Sequence, residues 1–194
     1  MLRIDRRIGS QELAVPLKRM GCKVEVCTLD YADVAWVGNG PNWCDANDTS
    51  GLLVNDKVKV GVERKKVSEI LACFGDSRFV SRQLPGLLKT YDVVWLLVEG
   101  VYTAERDGRL KTGQLFGPRV KHSYEALTGF LLTLQQKAGV RVVRTSSFTE
   151  TVHWLHTAYR WWQRPWEKHQ SAYALDTVRV PYDPALAKQP SIVR

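Results

Sequence analysis

The stretch that decides the fold is VKVGVERKKVSEILACFG, residues 58–75. Its first half alternates apolar and polar residues, as a half-buried β-strand does, and its second half has the pattern of a helix that ends at a glycine. Strand alternation places Glu63 and Lys65 together on one face, beside the space left by Gly61, and turns Arg64 to the other face. Taken alone, such a charge cluster is more often a solvated strand end than part of a cleft, so the rest of the chain is needed to distinguish the two interpretations.

A metal site at this strand end needs a second acid, because a single carboxylate binds a hard divalent cation poorly. Asp33 is the first candidate, since it lies where one predicted strand is followed by the next. Asp5, at the end of the first predicted strand, and Glu69, one helical turn past the charged strand, are further candidates. Asp5 alternatively caps the loop that leads to Ser10, and Glu69 alternatively stabilises the first turn of its own helix through the helix dipole.

The periodicity of the whole chain predicts a mixed α/β sheet flanked by helices in a single domain. Ser10 is the predicted N-cap of the first helix, and Pro85-Gly86 the predicted kink of the third. The late order of helix, strand, helix, strand and helix implies parallel pairing, whereas the earlier strands are expected to be antiparallel, with 33–37 a hairpin partner or a continuation of the strand before it. Strands are predicted at residues 2–4, 22–29, 33–37, 58–63, 93–99 and 140–145, and helices at 10–20, 66–74, 77–91, 123–138 and 147–162.

Two segments lack periodicity and are expected to be loop insertions, at about residues 38–57 and 100–121. The first has roughly the spacing of a calcium-binding loop, but a serine stands where that loop needs its glycine and Asp56 where it needs its glutamate, which excludes the assignment. The second is basic and is by default a solvated loop. Its Arg109 and Lys111 are alternatively contacts for a phosphate backbone.

Composition favours an intracellular protein with a nucleic-acid partner. The 194 residues include 28 basic and 20 acidic side chains, and this net charge of +8 favours a polyanion. Hydrophobic residues at 44% and charged residues at 25% are typical of a globular chain and exclude a disordered one. No apolar run approaches the roughly 20 residues that cross a bilayer, and the N-terminus MLRIDRRIG lacks an apolar signal core, so neither membrane contact nor secretion is expected. The four cysteines form no C-x-x-C pair, which favours reduced, buried thiols over a zinc site.

Two sets of residues near the C-terminus have structural as well as functional interpretations. Glu150, His153 and His156 recur every three residues on one predicted helix, but helical metal pairs of the H-E-x-x-H type need another spacing, which disfavours a metal site there. The tryptophans and basic residues of segment 153–169 are suited to core packing, to a dimer surface, or to stacking on exposed bases.

Four motifs follow one another in a specific order. The central motif has two parts, Ala32-Asp33 and, after a long gap, E-R-K-K-V-S-E at residues 63–69. It resembles a pattern in which G-D is followed by a variable gap and then by E-R-K-x-x-x-D. Three flanking motifs resemble D-x-R-E, D-G-R-x-x-x-Q and the strand after it, namely IDRR at residues 4–7, DSRFVSRQL at 76–84 and VVWLLVEG at 93–100. Over about residues 2–162, this ordered set resembles the nuclease domain of XPF-type structure-specific endonucleases, within the restriction-endonuclease-like fold.

The resemblance implies a nuclease domain over residues 1–164, followed by an extended tail over 165–194. It implies that Asp33, Glu63 and Asp5 bind Mg²⁺, with Mn²⁺ as an alternative, and that Lys65 orients or helps to deprotonate the attacking water. The other catalytic candidates are Arg64 and Glu69, and the candidate DNA contacts are Arg78, Gln83, Arg109 and Lys111.

The chain departs from the family pattern at several positions. Ala32 replaces the glycine before the first acid, which is expected to be a mild change, and Glu69 replaces an aspartate. Ile8 stands where the opening motif has a glutamate, and the gap between the two motif acids is longer than usual. We expect the family's tandem helix-hairpin-helix module to have no room after residue 162. We therefore expect DNA to be held by the surface of this domain, by a second copy or by a partner.

The function expected from these residues is a metal-dependent endonuclease that hydrolyses phosphodiester bonds in branched, flapped or junction DNA. Such an enzyme acts in repair, recombination or replication, and the resemblance implies a homodimer or a heterodimer. The alternative is a non-catalytic nuclease-fold subunit that binds DNA or acts as a scaffold in a heterodimer. A third option is a less selective recombination or packaging nuclease. The complete set of Asp33, Glu63 and Lys65 favours an enzyme.

Overall fold

This computed structural model describes residues 1–40, 57–74, 77–113, 123–165 and 168–169 of the chain. Within them, six strands form the main sheet: β1 (Leu2–Asp5), β2 (Val24–Cys27), β3 (Val34–Asn39), β4 (Lys57–Lys66), β5 (Val93–Glu99) and β8 (Arg141–Thr145). A separate hairpin consists of β6 (Tyr102–Ala104) and β7 (Leu110–Thr112). The helices are α1 (Ala14–Arg19), α2 (Val67–Ala72), α3 (Leu84–Thr90), α4 (Tyr124–Ala138) and α5 (Phe148–Trp162). A 3-10 turn at Gln11–Leu13 precedes α1, and a π-helical turn at Phe79–Gln83 precedes α3.

The sheet is mixed, with the strand order β2-β1-β3-β4-β5-β8. β4, β5 and β8 are mutually parallel, which confirms the pairing predicted from the alternation of helices and strands in the second half of the chain. β5 lies between β4 and β8 and is buried on both faces, as its continuous apolar run predicts. β3 is antiparallel to both β1 and β4.

The pairing of β3 differs from the sequence prediction. It neither forms a hairpin with β2 nor continues it, but lies between β1 and β4, with Val34 opposite Ile4 and Val62. β3 is largely buried and therefore belongs in the sheet interior, whereas the exposed Glu25 and Val26 of β2 suit an edge. The expectation that all early strands are antiparallel is also wrong for β1 and β2, which are parallel because α1 connects them as a crossover.

Helices cover both faces of the sheet. On one face, Val58, Val60 and Val62 of β4 pack in a core cluster with α1 and α5. On the other face, α2, α3 and α4 pack in a second cluster with the alternate residues of β5. The arrangement confirms the predicted mixed α/β sheet flanked by helices in one domain, and it places Glu63 and Lys65 on the α2–α4 face.

The two predicted helices that contain proline form with altered starts. Pro16 is tolerated because it lies within the first turn of α1, where its missing N–H leaves no intrahelical hydrogen bond unmade. Ser10 stands at the predicted N-cap position, before the 3-10 turn, but its side chain makes no hydrogen bond to the helix that follows. The predicted kink at Pro85-Gly86 lies just after the π-helical turn, in the first turn of α3.

The segment 100–121, predicted to be irregular, contains the β6–β7 hairpin among its described residues, 100–113. The tight turn has Gly108 at φ +80°, and the buried Tyr102 and Leu110 fix the hairpin against the body of the domain. Strands of three residues carry too little alternation to be recognised in a sequence. Of the predicted 38–57 insertion, Gly38 and Asn39 belong to β3, Lys57 begins β4, and residues 41–56 lie outside the described residues, as does most of the predicted tail.

Within the described part of the chain, none of the helices combines the length and the apolar character that a membrane crossing requires.

Candidate active site

Two carboxyl groups meet where β4 passes the beginning of β3. Glu63 lies near the end of β4, and Asp33 lies in the turn that leads into β3. The backbone N–H of Asp33 donates to the carbonyl of Val62 at 3.0 Å. The backbone carbonyl of Asp33 accepts from the N–H of Asp5 at 2.9 Å. The sheet hydrogen bonds therefore hold the Asp33 turn between the ends of β1 and β4, beside Glu63.

The carboxylate of Asp33 is held by two donors from different elements. The backbone N–H of Arg64 donates to its Oδ2 at 2.7 Å, and the hydroxyl of Ser10 donates to its Oδ1. Ser10 is 3% exposed, so this hydroxyl serves the acid instead of capping a helix. Ala32 lies immediately before Asp33 with φ at +74°, a conformation that glycine adopts freely and that strains an alanine by about 1 kcal/mol. The replacement of the family's glycine therefore leaves an alanine in a left-handed backbone conformation.

Glu63 and Lys65 lie on the same face of β4 and are in contact. The ammonium of Lys65 is 3.1 Å from Oε1 of Glu63 and 5.1 Å from the ring centroid of Phe79, which leads the π-helical turn. The side chains of Glu63 and Lys65 are only 10% and 13% exposed. At such depth, each charge depends on its neighbours instead of on water.

Burial and mutual repulsion disfavour the charged forms of the two acids. Burial first, and then the charge of Asp33, raise the pKa of Glu63 to about 7, against the opposing effect of Lys65. Burial also raises the pKa of Asp33, although the bonds from Ser10 and Arg64 act in the other direction. For Lys65, burial lowers the pKa but the Glu63 carboxylate outweighs it, so that the pKa is raised and the ammonium stays protonated at neutral pH. A further positive charge between the two acids would relieve their repulsion.

The guanidinium of Arg64 points to the opposite face, as strand alternation predicts. It donates to both oxygens of Glu99 at 2.9 and 2.7 Å, to Glu12 at 2.6 Å and to the carbonyl of Gly9 at 2.8 Å. It also lies 5.2 Å from the ring centroid of Phe148. Arg64 therefore ties the end of β4 to β5, to the 3-10 turn and to α5, while its backbone N–H holds Asp33.

The other two acids implied by the motif have partners of their own. Asp5 is fully buried, and its carboxylate accepts from the side chain of Arg7 and from the N–H of Leu29 at 3.2 Å. Oε2 of Glu69 accepts from the N–H of Lys66 at 2.6 Å at the start of α2, which is the alternative role considered for it. Among the residues that the structure describes, no group of three or more His, Cys, Asp or Glu side chains is placed to hold one metal ion.

Two cavities flank the acid pair. Glu63 lines a cavity of about 500 Å³ together with the candidate DNA contacts Arg78 and Gln83, and with Arg7 and Arg82, which the sequence analysis does not single out. Asp33 lines a smaller cavity of about 150 Å³, whose wall also contains Ile8, Gly9, Ser10, Glu12, Arg64, Lys66 and Glu69. Arg109 bonds to Asp107 within the β6–β7 turn, and Lys111 is exposed on β7, so neither contributes to the wall of these two cavities.

The donor set at Asp33 and Glu63 suits a hard divalent cation. Both ligands are carboxylates, and Mg²⁺ is commonly held by one or two carboxylates, with water and substrate phosphate as its remaining ligands. The cavity beside Glu63 has room for those ligands. Asp33 and Glu63 are therefore the residues that could hold such an ion, and their carboxylates would suit Mg²⁺ or Mn²⁺.

A brace of two tyrosines supports the Asp33 turn. The hydroxyl of Tyr91 donates to the carbonyl of Tyr31 at 2.7 Å, two residues before Asp33. The ring of Tyr91 occupies the space beside Gly61, where an added Cβ would collide with it, and the ring of Tyr31 lies even closer against Gly86. The room left by Gly61 is thus filled by protein. The contacts of both tyrosines join residues that are far apart in the chain, so no local sequence pattern predicts them.

Comparisons with known proteins agree with this geometry. A family model described as the ERCC4 domain matches residues 4–158. Comparison with the sequences of curated proteins finds no match. Among solved structures, XPF from Aeropyrum pernix is similar at a TM-score of 0.60 and 20% identity, over 84% of this chain and 61% of that chain. A second structure, described as XPF from Aeropyrum pernix in complex with DNA, is similar at a TM-score of 0.57 and 21% identity, over 82% of this chain and 63% of that one.

The chain spans about three-fifths of the length of these two solved chains, and at this identity the likeness concerns the fold. It confirms the XPF-type resemblance at the level of the fold. Since the family model covers most of the sequence, from β1 to α5, the chain belongs to the ERCC4 domain family.

Proposed function

We propose that this protein is a metal-dependent endonuclease that hydrolyses phosphodiester bonds of DNA. The observation that carries the proposal is the buried pair of Asp33 and Glu63 with the ammonium of Lys65 beside it, at the edge of a cavity lined by arginines. Two buried acids with raised pKa values lower the stability of the folded protein when they ionise, so stability alone does not explain why they are there. They are suited to a cation that arrives with its substrate.

In this mechanism, the DNA backbone enters the cavity of Arg7, Arg78 and Arg82, whose charges attract its phosphates. Asp33 and Glu63 would hold a divalent ion, which would supply a Lewis acid for the scissile phosphate and lower the pKa of a bound water. Lys65, held protonated by Glu63, donates to the attacking water or to a phosphate oxygen and stabilises the negative charge that develops there. The water oxygen forms the new bond to phosphorus and releases its proton to solvent, while the bond between phosphorus and the sugar oxygen breaks and that oxygen takes a proton from solvent.

Several observations support DNA as the substrate. The net charge of +8 favours a polyanion, and three arginines line the cavity next to the acid pair. One of the similar structures is described as a complex with DNA. The ordered motifs support branched, flapped or junction DNA, processed in repair, recombination or replication, and a homodimer or heterodimer as the working form.

Cleavage assays test the proposal directly. The pure protein is incubated with labelled fork, flap, junction and linear DNA, with Mg²⁺, with Mn²⁺ and with EDTA. We expect cleavage with either ion, none with EDTA, and none by Glu63→Gln or Asp33→Asn, while Glu125→Gln on the exposed surface of α4 behaves as wild type. Cleavage by either site variant at the wild-type rate would refute the assignment.

A non-catalytic, DNA-binding or scaffolding role is the second candidate, and one observation favours it. Asp5 and Glu69, two of the four acids that the motifs imply, bond to other parts of the protein. A scaffold subunit binds the same DNA substrates without cutting any of them under any metal condition. Binding without cleavage, repeated after mixing with a catalytic partner, therefore distinguishes the two functions.

A further inference from the structure

Ile8 is the most exposed large apolar residue in the described part of the chain. Its relative exposure is 103%, whereas the next values are 59% for Met1 and 56% for Val15. A half-exposed aliphatic side chain is ordinary on a protein surface, but one without any cover forgoes all of its burial energy. The position of Ile8 in the fold therefore indicates what could cover this side chain when it is bound.

The turn that carries Ile8 is fixed on both sides. Before it, the side chain of Arg7 bonds to the buried Asp5 and donates to the carbonyl of Leu29 at 3.0 Å. After it, the carbonyl of Gly9 accepts from Arg64 at 2.8 Å, and Ser10 bonds to Asp33. Ile8 is thus an apolar side chain held out into solvent by a rigid turn, so little conformational entropy of the backbone is lost when something binds to it.

The same turn lies across the acid pair. Arg7 lines the large cavity on the side of Glu63, and Ile8 lines the small cavity on the side of Asp33. A DNA strand whose phosphate lies at the two acids would place that phosphate beside the cation of Arg7. The sugar and base of the adjoining nucleotide would then reach Ile8. An aliphatic side chain offers no hydrogen bond to a phosphate or a base edge, but it packs well on the face of a base that has lost its stacking partner.

We propose that Ile8 is a specificity-determining residue, which packs on the unstacked base next to the scissile phosphate and thereby favours unpaired or branch-point DNA. This inference rests on the proposed endonuclease function and adds a substrate determinant to it. Unstacking a base within a duplex has an energetic cost that is smallest where the base is already unpaired. A contact that exists only with an unstacked base therefore discriminates between a fork and a continuous duplex.

The test uses base stacking as its readout, so that it does not depend on cleavage alone. Fork DNA carries 2-aminopurine, whose fluorescence is quenched by stacking, at successive positions around the branch point. It is mixed with Glu63→Gln, which is expected to bind DNA without cutting it, and with the same protein carrying Ile8→Ala or Ile8→Met. We expect a rise in fluorescence at one position, lost with Ile8→Ala and kept with Ile8→Met, because methionine preserves an apolar side chain of similar reach.

Cleavage by proteins with an intact Glu63 provides the second readout. Ile8→Ala is expected to lower the ratio of kcat/KM on fork DNA to that on continuous duplex by roughly fivefold or more, and Leu132→Ala, half-exposed on α4, is expected to leave the ratio unchanged. Unchanged fluorescence and ratio, or an equal loss on both substrates, would overturn the role of Ile8 and leave the nuclease function standing. If the wild type cleaves none of the DNA substrates, the proposed function fails, and the inference fails with it.

Discussion

The raised pKa of Glu63 makes a prediction about stability that needs no DNA. In the folded protein the pKa is about 7, and its ordinary value is 4.5. Between these two pH values the folded state holds a proton that the unfolded state has released, so stability falls as pH rises through this window and stays low above pH 7. A shift of this size corresponds to about 3 kcal/mol. Glu63→Gln has no carboxyl to ionise at this position, so its free energy of unfolding should not fall with rising pH for this reason.

Glu63→Gln is therefore expected to unfold at nearly the same free energy as wild type near pH 5. Near pH 8, it should be more stable by up to about 3 kcal/mol. Urea unfolding in EDTA at the two pH values measures the difference, and Glu125→Gln on the exposed surface of α4 controls for the change in net charge. Mg²⁺ should then stabilise wild type and leave Glu63→Gln unaffected, because a ligand stabilises the state that binds it.

The reasoning is refuted if the advantage of Glu63→Gln does not grow between about pH 5 and pH 8. The same titration predicts the activity profile, since the ion competes with protons for both acids. Cleavage should fall as pH drops below about 7 and recover at higher Mg²⁺ concentration. A rate that stays constant from about pH 8 down to pH 5.5 at low Mg²⁺ would contradict the assignment of Glu63 as a ligand.

Three further substitutions test the supporting structure. Ala32→Gly relieves the strain of φ at +74° but removes a buried methyl and adds freedom to the unfolded chain, so the free energy of unfolding in urea should stay close to that of wild type, and a loss above about 1.5 kcal/mol would count against this conformation. Tyr91→Phe removes only the bond to the Asp33 turn, so the concentration of Mn²⁺ at half-saturation should rise several-fold with little change in Tm, and unchanged Mn²⁺ binding would show that the brace is unimportant. Arg64→Ala should destabilise by about 3 kcal/mol, because Glu99 is left buried without its partner, and a loss below about 1 kcal/mol in urea unfolding would contradict that role.

The parts of the site that follow from local periodicity were predictable from the sequence. Alternation along β4 correctly places Glu63 with Lys65 and turns Arg64 away. The same rule does not predict which residues Arg64 bonds to on its side of the sheet, because Glu12 and Glu99 come from distant segments. A charge buried in a strand needs a partner, but the sequence does not say which one.

Predictions that depend on contacts between distant segments failed for the same reason. β3 pairs with β1 and β4 because its buried residues need a neighbour on either side, and the strand that precedes it in the chain is only an edge. Ser10 precedes a helix and has the right side chain for a cap, yet its hydroxyl is taken by Asp33, which lies 23 residues away. Local preference gives way where a buried acid offers a stronger hydrogen bond.

The tyrosine brace has a consequence for sequence variation within the family. Gly61 and Tyr91 fill one volume between them, and Gly86 and Tyr31 fill another, so neither glycine can gain a side chain while its tyrosine keeps its ring. Each pair should therefore change together when related chains diverge, and a library that varies only one member should return mostly misfolded proteins. The two pairs meet at the Asp33 turn, so a double replacement that refills both volumes offers a way to shift this acid by small steps without changing the groups that bond to its carboxylate.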